Sequence, residues 1–337
     1  MKKHIIIAIR YSILQKNSSS WRAAEQGFEK HVEKILSSER LNIREETFDK
    51  LTLSSLCSQA VIDPDVSFSV LVMLSDMLPN ERLEKLRSKI RIANNRDISF
   101  KLATIDSGTG LDHDFKNINE AMKFEISELS KSHNDILIAT VRLDDDDGVS
   151  SNFVQKLSEH MHLALTGYAV SFAYGLEGYW DAVSGQVTDV RHSYFPKFSA
   201  GMAYLNSYNS LNGLGDKKTI HVYNLGNHMK IDERFPTIIE AKEPMFFRTL
   251  STTNDSVGSP YHKHLPAVKG SNTFSQFPYL YSLCSTANFM EIEDLQALEV
   301  CKSSSPWMAL ITHLNNRIQL REKQIRELTE KLEGTAK

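Results

Sequence analysis

The chain has 337 residues, 39 Lys and Arg against 42 Asp and Glu, a net charge of −3, and three cysteines. That length holds one large α/β domain or two ordinary ones, with ample core and no need of disulfide or metal staples. The balanced charge argues against a nucleic-acid partner, and the odd, unrelated spacing of Cys57, Cys284 and Cys301 argues against a disulfide framework or zinc site and for reduced thiols in a cytosolic protein.

The first element is the apolar run Ile5–Ile9. Arg10 interrupts it after five residues, short of the ~7–15 a secretory signal core needs, so it reads as a strand buried on both faces. No window approaches the ~20 apolar residues of a membrane span. Ser18–Ser20 and Trp21–Gln26 read as a loop and helix start. A helix is expected over Phe48–Val61, a strand over Ser67–Leu74, and a helix opened by Pro79 carrying Leu83, Leu86 and Ile90. Ile98–Ile105 is a third strand. Ile118, Met122, Ile126 and Leu129 mark a helix, Ile136–Leu143 a fourth strand, and Phe153–Leu165 a helix.

Alternating strands and helices over residues 1–165 predict a mostly parallel α/β sheet covered on both faces. The segment 166–305 differs. Short strands are expected at Tyr168–Tyr174, Val187–Val190, Met202–Leu205 and Ile220–Tyr223, among many Gly, Ser and Asn, giving a loop-rich, more antiparallel half of the same domain. In 306–337, Ile311, Leu314, Ile318, Ile325, Leu328 and Leu332 fall on heptad a and d positions, with Arg321 at one d site. A coiled coil between subunits and an amphipathic helix docked on its own domain both fit.

The informative segment is Arg142-Leu143-Asp144-Asp145-Asp146-Asp147-Gly148. Four consecutive carboxylates repel one another unless solvated or neutralised by a cation. A strand that delivers them to its carboxyl end puts them where open α/β sheets bind ligands. Hard ions such as Mg²⁺ or Mn²⁺ take carboxylate oxygens and share their charge with substrate phosphates. An EF-hand register fails, because Gly148 at loop position 6 puts Leu143 at position 1 and Val154 at position 12. A solvated acidic turn and an aspartyl nucleophile are the other readings.

The segment resembles the aspartate motif of bacterial GT-A glycosyltransferases, and within them the rhamnosyltransferase family. Further pieces come in the expected order: Ile9-Arg10-Tyr11; Phe48-x3-Thr52-Leu53-x-Ser55-Leu56-x2-Gln59; Ser75-x-Met77-Leu78-Pro79; Phe195-Pro196 with Ser199-x-Gly201; Pro306-Trp307 with His313-x2-Asn316. The family usually has a non-acidic residue at the position of Asp145 and a Gly at that of Leu314. The resemblance spans residues 5–316.

It implies a GT-A-like, Rossmann-type sheet and sugar transfer from a nucleotide-sugar donor to a glycan or glycolipid acceptor, often in surface-polysaccharide synthesis. Asp144, with Asp145 beside it, would contact the nucleotide-sugar, and Asp146 or Asp147 would hold Mn²⁺ or Mg²⁺. Arg10, at the end of the first strand, would meet a phosphate or base. Arg142 would meet either the substrate or the acidic cluster. Gly201 would let the backbone approach the donor, or simply form a turn. A late His often completes the metal site, and His313, His228, His262 and His264 are the candidates. If the reaction inverts configuration it needs a general base, for which Asp181 stands beside Tyr179 and Trp180; a retaining reaction needs none. Peripheral attachment at the inner membrane face and self-association through the C-terminal helix are open. A sugar-phosphate nucleotidyltransferase also uses paired Asp and Mg²⁺, but Tyr11–Ser20 lacks the Gly-rich loop of that class. A non-catalytic nucleotide- or sugar-binding scaffold is the remaining alternative.

Overall fold

A computed structural model describes residues 1–14, 16, 27–94, 98–133, 135–209, 220–252, 262–284 and 297–302, with 318, 321–322 and 325–326. The isoleucine run lies in β1 (Lys2–Tyr11) and is buried along its whole length. Alternation splits it: Ile5, Ile7 and Ile9 join one core, Ile6 and Ala8 another. β2 (Val66–Ser75) divides the same way, Val70, Val72 and Leu74 against Leu71 and Met73. Two-faced burial requires helices on both sides. α2 (Ser38–Thr47), α4 (Asn80–Asn94) and α6 (Phe153–Glu159) cover the first face with Leu41, Leu86, Ile90, Phe153 and Leu157. α5 (Ile118–Lys131) covers the second with Ala121, Met122 and Ile126.

β1 is central. It pairs in parallel with β2 and with β4 (Asp135–Asp144), and β2 pairs in parallel with β3 (Ser99–Ile105). Beyond β4 the sheet continues through β9 (Met202–Asn209), β6 (Ala169–Phe172) and β10 (Thr237–Glu240). β9 is antiparallel to both β4 and β6, while β10 is parallel to β6, so β9 alone of these seven strands runs against the others. This is the mostly parallel α/β sheet the sequence predicts. A smaller sheet has the order β5 (Gly148–Val149), β11 (Phe246–Leu250), β7 (Tyr174–Asp181), β8 (Gln186–Tyr194). Its core joins Leu176, Trp180 and Phe247 to Phe274, Phe277 and Leu280.

Several boundaries differ from expectation. The helix expected at Phe48 begins ten residues earlier, capped by the Ser37 hydroxyl, which accepts the Arg40 amide at 3.3 Å. It runs through a π-helical stretch, Phe48–Leu53, into α3 (Ser54–Cys57). The segment Tyr168–Tyr174 is two strands in different sheets. Ile220–Tyr223 is not a strand: the Asn224 side chain accepts the His221 amide at 3.1 Å and closes a 3₁₀ turn over Val222–Asn224. The expected helix start at Trp21–Gln26 lies outside the described residues, as does most of the heptad repeat. Of that repeat, Ile318 and Ile325 are helical and exposed. No disulfide joins Cys57, Cys284 and Cys301. No helix among the described residues is long and apolar enough to cross a membrane.

β1 also carries a buried histidine. His4 places its ring nitrogens 2.8 Å from the Ser67 hydroxyl and 2.9 Å from that of Ser69. Burial, reinforced by nearby His133 and Lys101, lowers its pKa to about 4. The folded state therefore binds fewer protons than the unfolded state. The stability this contributes is complete above the unfolded value of ~6.5 and is lost as pH falls towards 4, at about 1.4 kcal/mol per pH unit. In urea titrations across that window, His4→Gln is expected to lose less stability on acidification than wild type. Parallel acid profiles would count against the neutral buried imidazole.

Candidate active site

The carboxyl ends of β1 and β4 lie side by side, with Arg10 in register with Asp144. An Arg10 Nη donates to Asp144 Oδ1 at 2.9 Å, and Arg142, two residues back on the same strand face, reaches Asp144 Oδ2 at 3.2 Å. Burial alone would raise the Asp144 carboxyl, but the Arg142 and Arg10 guanidiniums outweigh it and hold it well below the usual range. Asp144 is thus a permanently ionised acceptor. Arg10 also lies over the Tyr223 ring, 5.6 Å from its centroid.

The next three aspartates turn inward and are buried. One nitrogen of Arg44, from α2, bridges Asp145 Oδ1 at 2.8 Å and Asp146 Oδ2 at 2.6 Å. Asp147 Oδ1 accepts the Thr249 amide of β11 at 3.0 Å. Burial raises Asp146 and Asp147 above the ordinary carboxylate range. Neighbouring aspartates add to this, against the opposing pull of Arg44 on the first and of the Thr249 amide and Arg248 on the second. Asp145 Oδ2 is buried and has no hydrogen-bond partner among the described residues. The turn thus crowds three buried carboxylates together, with Arg44 bridging two of them.

These groups form the floor of a cavity of about 180 Å³. Arg40, Arg44 and Arg248 line its walls, with Ile13, Ile35 and Phe198 as an apolar side. Ser12, directly after β1, has a left-handed φ of 48°, a conformation costly for a residue with a Cβ. Its hydroxyl accepts from Arg40 at 3.1 Å, which fixes that guanidinium at the rim. Arg248 lies 5.7 Å from the centroid of the Phe198 ring, and behind it is the buried Glu177 at 3.9 Å. Glu177 is itself bonded to His262 at 2.7 Å and to the Ser193 hydroxyl at 3.1 Å.

Of the residues singled out in the sequence, Arg10, Asp144, Asp145, Asp146 and Asp147 line this cavity together. Arg142 is paired with Asp144 and is not among the lining residues. Gly201 is a buttress: its amide donates to the Arg142 carbonyl at 2.9 Å, its φ is +77°, and a Cβ there would come 2.9 Å from the Phe153 ring. Ser199, two residues earlier, is the wall residue.

The structure does not bring Asp181 to the site. It ends β7 on the surface and caps its own turn, accepting the Val183 amide at 3.0 Å and the Ser184 hydroxyl at 2.6 Å. Those bonds lower its pKa, the wrong direction for a base. Among the histidines, His228 Nδ1 is bonded to the Lys197 carbonyl at 2.7 Å, His262 serves Glu177, and His264 is exposed. None of the three lines the cavity. His313 lies outside the described residues.

The residues that sequence reasoning missed are Ser12, Arg40, Arg44, Arg248 and Thr249. Arg40 and Arg44 left one signal: they sit four apart in a helix whose Leu41 and Phe48 face the core, so they share a stripe close to it.

A family model described as "Putative rhamnosyl transferase" matches residues 4–263. The chain belongs to that family. The matched span contains every described wall of the cavity. Among solved structures, S. aureus TarS is similar at 10% identity and a TM-score of 0.32, with 74% of this chain aligned. The alignment covers 37% of that TarS chain. TarS 1–349 in complex with UDP aligns at 11% identity and a TM-score of 0.35, over 89% of this chain and 70% of the other. Mouse xyloside xylosyltransferase 1, apo form, aligns at 12% identity and a TM-score of 0.25, over 69% and 74%. No curated protein matches the chain.

Proposed function

We propose that this rhamnosyl-transferase family member moves a sugar from a nucleotide-sugar donor to a glycan or glycolipid acceptor, with Mg²⁺ or Mn²⁺ held by Asp146 and Asp147. The supporting observation is the crowding of buried carboxylates at the aspartate turn, on the floor of the cavity. Arg44 bridges two of the three buried carboxylates, Asp147 has the Thr249 amide, and among the described residues Asp145 Oδ2 has no hydrogen-bond partner. This all-oxygen donor set suits a hard divalent ion. When bound, the ion supplies Lewis-acid charge for the departing nucleoside diphosphate.

The chain's own groups do the rest. Asp144, kept ionised by Arg10 and Arg142, accepts hydrogen bonds from ribose or sugar hydroxyls. Arg248 and Arg44 present guanidiniums to the phosphates. Ile13, Ile35 and Phe198 offer a dry surface to a base or sugar face. Residues 1–305 act as one catalytic domain whose first half, 1–165, binds the donor. The setting is the cytoplasm or the inner membrane face, in the assembly of surface polysaccharide, as the family resemblance implies.

The test is a panel of UDP-, GDP- and dTDP-sugars, assayed for hydrolysis or transfer with and without Mn²⁺ or Mg²⁺. Release of nucleoside diphosphate from at least one donor, abolished by chelation, is the expected result. Turnover unaffected by chelation would remove the metal from the reading, and no turnover of any donor together with tight binding would favour a scaffold.

A further inference from the structure

We propose that Arg44 is the resident counter-cation of the aspartate turn, displaced by a divalent ion and taken up by the donor's diphosphate as the donor complex assembles. This rests on the metal- and nucleotide-binding reading above. Arg44 contacts Asp145 and Asp146 through a single Nη atom, and the three side chains are 6%, 6% and 9% exposed. A buried charge persists only where it is matched, so in the metal-free protein the guanidinium is what allows this turn to stay folded inward. An ion bound to Asp146 would stand next to the same guanidinium. Arg44 holds Asp146 Oδ2, so an ion on that carboxylate would stand close enough to the guanidinium for the two cations to repel.

The geometry gives Arg44 somewhere to go. It lines the cavity with Arg40 and Arg248, and a guanidinium released there faces the space in which a diphosphate would lie. A single Nη bridges the two carboxylates, whereas the whole planar fork could meet two phosphate oxygens. Metal and diphosphate would then help each other. The ion expels the arginine from the turn, and the diphosphate gives it a partner. Each ligand removes an obstacle to the other, which is positive coupling between two sites.

Calorimetry on the full chain tests this with Mn²⁺ alone and Mn²⁺ in the presence of whichever of UDP, GDP and dTDP binds best. Wild type is expected to bind Mn²⁺ weakly alone and about tenfold more tightly with the nucleotide. Arg44→Gln is expected to bind Mn²⁺ alone about tenfold more tightly than wild type, to bind the nucleotide more weakly, and to lose most of the coupling. Without metal its melting temperature should fall, and Mn²⁺ should raise it further than it raises that of wild type. Mn²⁺ affinity unchanged or weakened in Arg44→Gln would overturn the proposal. If Arg44→Gln does not fold, Arg44→Lys decides. It keeps a cation, so Mn²⁺ binding should stay weak, while nucleotide affinity falls at least about threefold for want of the fork; nucleotide affinity equal to wild type would overturn the proposal. A wild-type chain that binds neither Mn²⁺ nor any of the nucleotides would instead defeat the underlying reading of the site.

Discussion

Asp146→Ala is expected to cut metal-dependent turnover of the donor by about a thousandfold or more, and to leave the metal-free protein as stable as wild type or more so. The first half follows from chemistry. A carboxylate that holds the charge opposing the departing diphosphate acts in the transition state, and a thousandfold corresponds to about 4 kcal/mol of barrier. The second half follows from the electrostatics of the turn. Burial and the flanking aspartates raise the Asp146 pKa, so its ionised form is a liability in the folded protein at neutral pH. Deleting it leaves Arg44 still paired with Asp145 at 2.8 Å. A melting curve alongside the assay separates the two effects. Loss of activity with a falling melting temperature would mean that Asp146 is structural. Asp181→Ala is the natural control: that side chain caps an exposed turn, and its replacement should leave turnover near wild type.

The acidic turn was readable because it is local. Four carboxylates after a strand are visible in seven residues, and β4 ends on Asp144 as the pattern of Ile136–Leu143 requires. The β1 and β2 strands were equally legible, since two-faced burial demands near-continuous apolar runs. What sequence could not show is what neutralises the turn. Arg44 is 101 residues from Asp145, and Thr249 is 102 residues from Asp147. Neither carries a motif, and both arrive only through the packing of α2 and β11 against the end of β4. Asp181 misled for the converse reason. Its aromatic neighbours suggested a sugar platform, but alternation along β7 buries Trp180 in the second core and leaves Tyr179 and Asp181 at the surface. The strand β11 (Phe246–Leu250) has polar Arg248 and Thr249 in its middle and so lacks a continuous apolar run. Its burial is visible only once the smaller sheet exists.

That smaller sheet is what holds the turn in place, and one glycine exposes the dependence. Gly148 follows Asp147 directly and pairs with Phe247 of β11, while Val149 pairs with Phe246. A Cβ at Gly148 would penetrate the Tyr279 hydroxyl and stand 2.9 Å from its Cζ. Tyr279 cannot swing away, because it is packed in the core of the second sheet and its hydroxyl donates to the Val149 carbonyl at 3.2 Å. Gly148→Ala must therefore push β5 away from Tyr279, or Tyr279 out of its core. Overpacking of this kind costs about 1–3 kcal/mol, and more where backbone must move. Because the Asp147 carboxylate is held by the amide of Thr249 on the neighbouring strand, the same shift disturbs the proposed metal ligand. Activity should then fall with stability in Gly148→Ala, unlike in Asp146→Ala. Tyr279→Phe in the same chain removes the worst of the clash at the cost of one hydrogen bond, and should restore part of both. The double variant should melt above Gly148→Ala alone, and a double variant that melts lower would show that the hydroxyl is not what confines β5.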